Sequence, residues 1–150
     1  YKACCAKAKP VLMEPIMQVD GNVARVAADA AVVIFDKMNE DRRFPYLLSD
    51  ISRTHPDFLL RYRENFDTVC RSSLGMHVQR LEKGIADGYV QPCTMHDIYS
   101  TVVTLATAPF MNLPILENVA RLSPDMIDRH LQERREEMVR IIRARYSTGK

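Results

Sequence analysis

No apolar run in this 150-residue chain approaches the ~18 residues needed to cross a bilayer; the longest, Ala30 to Phe35, falls far short. A secretory leader is missing too. The chain opens YKACCAKAKP, with no unbroken apolar segment and no initiator Met. That opening reads as the interior of a helix, so further sequence upstream is expected. Strand-like alternation is nowhere sustained, and no Asn-Gly or Asp-Gly joins two alternating runs, which excludes a β-hairpin protein. The four cysteines, Cys4, Cys5, Cys70 and Cys93, form no C-x-x-C pair. They read as reduced thiols of a cytoplasmic protein rather than as a disulfide framework. Charge of one sign is also lacking: 21 basic against 19 acidic residues leave +2, too mild for direct nucleic-acid binding. No internal repeat appears, nor an H-E-x-x-H or Glu-x-x-His metal signature.

What remains is helical punctuation over one domain, residues 1–150. At this size a chain buries roughly 70% of its unfolded surface and needs no staple. Lys2 to Val19 is Ala- and Met-rich, and Pro10 predicts a kink or break. Asn22 caps a second helix reaching about Glu40. Its middle is apolar on most sides, as for a helix wrapped by others. Arg25, Asp29, Asp36 and Glu40 form a narrow polar stripe, a solvated face unless Asp29 points at a ligand. Phe44 to Thr54 is a short helix with Pro45 near its first position. From Pro56 to Asp87 the pattern predicts one long helix, Leu59, Tyr62, Phe66, Val69, Cys70, Ser73, His77, Leu81 and Ile85 facing inward.

That helix stops abruptly in EKGIADGYVQPCTMHD. Gly88 suits the left-handed position just past a helix end. Gly84, costly inside a helix, makes sense if another backbone packs close to it. Tyr89 to Gln91 run extended before Pro92, and Thr94 with Asp97 resembles a capping box. A new helix runs from Met95 to about Ala108, where Pro109 bends or ends it. A loop and short helix follow. Ser123, with Pro124 after it, starts the last helix, whose apolar positions are Met126, Ile127, Leu131, Met138, Ile141 and Ile142.

This order of elements resembles the C-terminal regulatory domain of the TetR family of bacterial transcriptional regulators. THPDFLLRY looks like the family's Asn-Pro-Glu-Leu start of a central helix, with His55 for Asn. LEKGIADGYVQP looks like the reversal after it, and APFMNLPILENVARL like the Pro-Phe phrase closing the next helix. The likeness spans essentially the whole chain. It implies an all-α fold of about six helices, with a long central helix and a helix pair for dimerisation. Residues 1–18 would end the helix that links to an N-terminal DNA-binding domain, which this sequence does not contain.

The resemblance further implies a homodimer whose DNA affinity changes with a small, largely apolar effector. Operator DNA would be met only through the missing domain, and neither an enzyme activity, a cofactor nor a membrane is implied. The expected ligand-lining residues are Met17, Phe35, Met38, Tyr62, Phe66, Cys70, Ser73, His77 and Tyr99. Each is also a plausible core residue, since Met and aromatic side chains serve both ends. The dimer contacts are expected at Ser100, Thr104, Ala108, Ile127, Leu131, Met138 and Ile142. Two rivals stand beside this: a helical adaptor without a small-molecule site, and a metal site from Cys70, His77, Cys93 and His96.

Overall fold

The computed structural model describes residues 22–57, 60, 75 and 77–149. Among these the protein is all-helical, with no strand; one isolated bridge joins Val90 to Ser147. We name five helices: α1 (Val23–Glu40), α2 (Phe44–Thr54), α3 (Met95–Met111), α4 (Leu113–Asn118) and α5 (Pro124–Tyr146). A further helical segment occupies residues 77–86. The expected kink at Pro10 and most of the expected long helix lie outside the described residues.

Local chemistry sets the helix ends. The Asn22 carboxamide oxygen accepts from the Arg25 N–H at 3.0 Å to start α1. Thr94 and Asp97 form a reciprocal capping box on α3: Thr94 Oγ1 accepts from Asp97 N–H at 3.1 Å, and Asp97 Oδ2 accepts from Thr94 N–H at 2.9 Å. Ser123 caps α5, with Pro124 behind it. Gly88, at φ 76°, ends the 77–86 segment. Its N–H donates to the Ile85 carbonyl and the Tyr89 N–H to the Gly84 carbonyl, the paired bonds of a Schellman ending. The residue crowding Gly84 differs from expectation: a side chain, Val90, approaches it rather than a backbone.

Central to the packing is α1, which lies mainly against α3 and α5. Ala24, Ala27, Ala28, Ala30 and Ala31 are all buried on it, so neighbouring helices approach closely; Ile34, Phe35 and Met38 fill the far end. The Phe35 ring meets that of Phe110 with centroids 4.8 Å apart, tilted by 57°.

Helix α3 does not end at Ala108; it continues through Pro109 to Met111. Proline forfeits one backbone bond. The extra turn is offset by complete burial of Phe110 and by Tyr46, whose hydroxyl donates to the Phe110 carbonyl at 2.8 Å and lies 3.0 Å from that of Met111.

By length and composition alone the α3–α4 stretch, Met95–Asn118, is apolar enough to cross a membrane, a property not expected from the sequence, whose small and hydroxyl residues interrupt every apolar run. Only 28% of its most apolar window is buried within the chain, which leaves much apolar surface uncovered.

The last helix is tied to the reversal. The Gln91 N–H donates to the Tyr146 carbonyl at 3.0 Å, and Thr148 Oγ1 donates to the Gly88 carbonyl at 2.7 Å. The buried Tyr146 ring sets its hydroxyl 2.9 Å from Thr101 Oγ1 on α3. The C-terminal end of α5 is thereby fixed to both the 88–91 link and α3.

Candidate functional site

Three helices meet around a partly open cavity of about 50 Å³. Val23, Val26, Ala27 and Ala30 supply one wall from the first turns of α1. Met95, Ile98, Tyr99 and Val102 supply another from the first turns of α3. His77 and Arg80, three residues apart on the 77–86 segment and so on one face of it, supply the third. The α1 wall is built of small and β-branched side chains, with Ala27 and Ala30 following Val23 and Val26 along it. Among the described residues the lining is apolar apart from His77, Arg80 and the Tyr99 phenol.

His77 is the unusual member. It is only 8% exposed, and its Nε2 is the one buried side-chain nitrogen or oxygen among the described residues that lacks a hydrogen bond. Buried polar groups in folded proteins are nearly always paired, because an unpaired one retains its desolvation cost. Burial, and secondarily the Arg80 charge, push the His77 pKa below its ordinary 6.5, so the imidazole is neutral at pH 7. Burial pushes the Tyr99 phenol up.

Of the ligand-lining residues expected from sequence, the structure brings His77 and Tyr99 to this cavity. Phe35 and Met38 sit elsewhere, fully buried in the core formed with Phe110. Met17, Tyr62, Phe66, Cys70 and Ser73 lie outside the described residues. Val23, Val26, Ala27, Ala30, Met95, Ile98, Val102 and Arg80 were not anticipated. Asp29 does not point at the cavity's lining; it is exposed and pairs with Arg25 at 3.4 Å.

A second depression, about 460 Å³ and open to solvent, runs between α3, α4 and α5. Leu105, Ala108, Ile115, Leu116 and Ile141 give it an apolar floor, and His130, Arg134 and Glu137 line it from α5. Of the expected dimer contacts, Ser100 and Thr104 are exposed on α3 and Ala108 lines this groove. Met138, 2% exposed, lies at the bottom of the groove, whereas Ile127, Leu131 and Ile142 do not line it and are at most 3% exposed in the core of the chain itself. Around Met138, α5 lines the groove with His130, Arg134, Glu137 and Ile141.

Among the described residues no group of three His, Cys, Asp or Glu side chains is placed to hold a metal ion. Cys93 is half-buried, and its thiol is pushed up chiefly by burial, whereas His77 is buried and His96 exposed. No family model, curated protein or solved structure matches this chain.

Proposed function

We propose that this chain is the effector-binding and dimerisation region of a TetR-type bacterial transcriptional regulator, a repressor whose hold on DNA changes when a small apolar molecule binds. The observation that carries this reading is the cavity at the junction of α1, α3 and the 77–86 segment, holding a buried imidazole with an unpaired nitrogen. A core built for stability alone gains nothing from such a group; a recognition site does.

Two further features support the reading. The 77–86 segment carries one cavity wall, and its Gly88–Gln91 exit is bonded to the end of α5. A change at the cavity is thus mechanically connected to the helix that bears the groove. The groove itself joins α3 to α5, the two helices that the resemblance assigns to subunit pairing. In a homodimer, a ligand that prefers one spacing of the two DNA readers shifts the population by its differential affinity for the two states. Operator half-sites lie ~34–36 Å apart, which fixes the spacing that must change.

The adaptor reading draws on one dimension. Ligand pockets commonly reach ~300–1,000 Å³, and this cavity holds about 50 Å³. Effector binding therefore requires a very small molecule, parting of the walls, or a ligand that projects from the open side past Arg80 and Tyr99.

The test uses the full-length protein. Sedimentation should give a dimer, the coding sequence upstream of Tyr1 should specify a helix-turn-helix, and a screen of small apolar compounds should find some that raise Tm and release DNA. A monomer with no DNA reader ahead of it would sink the proposal. A dimer that no small compound stabilises would favour the adaptor.

A further inference from the structure

The cavity's chemistry narrows what it can take, and the inference rests on the effector reading above. We propose that its ligand is small, uncharged and apolar over most of its surface, with one hydroxyl-type group that hydrogen-bonds to His77.

Size comes first. An apolar cavity of ~150 Å³ accommodates benzene, so about 50 Å³ admits a body of only a few carbon atoms without movement of the walls. Charge comes second. A cation would sit beside Arg80 with no acidic residue among the described lining to offset it. A carboxylate would have Arg80 as its counter-ion among the described lining, but that side chain is exposed and its attraction is screened by solvent. Burying either charge against valine, alanine and isoleucine side chains carries a desolvation cost that a neutral ligand avoids.

The head group follows from His77. A neutral imidazole has one N–H donor and one acceptor nitrogen. A hydroxyl complements whichever of the two Nε2 presents, because it both donates and accepts. The imidazole forms part of the wall, and the outer torsion of histidine is broad. Nε2 itself is buried, so a ligand seated against the ring pairs with it only once the ring turns about that torsion. Pairing this nitrogen relieves a cost that the free protein carries, so the ligand's polar group gains more here than in water.

The experiment titrates full-length protein carrying ¹⁵N-labelled histidine with 1-propanol, 1-chloropropane, propylammonium and propionate. The expected result is a saturable shift of the His77 Nε2 resonance with 1-propanol, and binding at least tenfold weaker for the other three. His77→Phe should bind 1-propanol and 1-chloropropane alike, and His77→Gln, which keeps a donor and an acceptor, should retain the preference. The nitrogen shift in the unaltered protein decides the question should a variant not fold. Propylammonium or propionate binding at the cavity as tightly as 1-propanol overturns the head-group inference and leaves the effector site standing. No saturable His77 response to any probe overturns both.

Discussion

Arg135 on α5 lays Nε and Nη2 against the two carboxylate oxygens of Asp36 on α1, at 2.7 and 2.8 Å, across 99 residues of sequence. The fork is two-pronged and fixes the rotation of α5 on α1 as well as its distance. Its carboxylate remains 48% exposed, so solvent screens the pair and the contribution is modest, on the order of 1 kcal/mol. Arg135→Ala should lower urea stability by about that amount. Arg135→Lys should recover little, because an ammonium cannot make both bonds. Equal stability of the Lys variant and the unaltered protein would show that charge alone matters.

The unpaired nitrogen of His77 predicts that a less polar side chain is tolerated better than histidine. His77→Leu removes a buried group without a partner and should raise unfolding free energy by about 1–3 kcal/mol. The same substitution tests a pH effect. The folded-state pKa of His77 lies below 6.5, its unfolded-state value, so the unfolded chain binds the proton first. Stability from this group is full above pH 6.5 and falls as pH drops from 6.5 toward the lower folded value. Urea midpoints measured from pH 8 to 5 should decline in the unaltered protein more than in His77→Leu. Parallel curves would mean that His77 titrates normally.

How much of this was legible in sequence depends on whether the signal was local. Asn22, Thr94 with Asp97, Ser123 with Pro124, and Gly88 each act on backbone within a few residues, and each was readable with its role. At Pro109 the sequence left a bend and an end both open; the helix runs past it, where Phe110 meets Phe35 and its carbonyl accepts from the Tyr46 hydroxyl, both distant in sequence. The apolar stripe of α5 was evident from its period, but a period does not say what covers it. Ile127, Leu131 and Ile142 meet their own chain, so what α5 leaves to the groove is the less apolar stripe around Met138 and Ile141. Phe35 and His77 illustrate the same limit at the site. Both read as inward-facing; only tertiary packing determines that one enters a filled core and the other a gap.

The groove between α3 and α5 makes a prediction about assembly. Ile141 lines it and is 41% exposed, whereas Met126, also exposed on α5, does not line it. If a second copy covers the groove, Ile141→Glu buries an unpaired carboxylate at the contact and should convert the dimer to monomer in sedimentation velocity. Met126→Glu should leave the dimer intact. The two substitutions change net charge equally, so a difference between them reports position alone. Dissociation by both, or by neither, would remove the groove from consideration as the subunit contact.

Gly84 offers a case where helix propensity and packing oppose each other. Alanine is favoured over glycine inside a helix by roughly 1 kcal/mol. A Cβ on Gly84, however, would lie 2.8 Å from Cγ2 of Val90, closer than such contacts permit. Val90 cannot easily yield. Its branched side chain has a stiff first torsion, it is 4% exposed, and its backbone is bridged to Ser147. Gly84→Ala should therefore destabilise the protein despite the better propensity, with the loss read as a lower urea midpoint at unchanged slope. Adding Val90→Ala removes the opposing methyls, so Gly84→Ala in that background should stabilise rather than destabilise. Gly75 is helical and exposed, and a methyl there would meet nothing within 4 Å, so it supplies the control: Gly75→Ala should stabilise by up to about 1 kcal/mol. A stabilising Gly84→Ala in the unaltered background would show that the 88–91 link shifts freely, and that the cavity's third wall is not held to α5 as firmly as its hydrogen bonds imply.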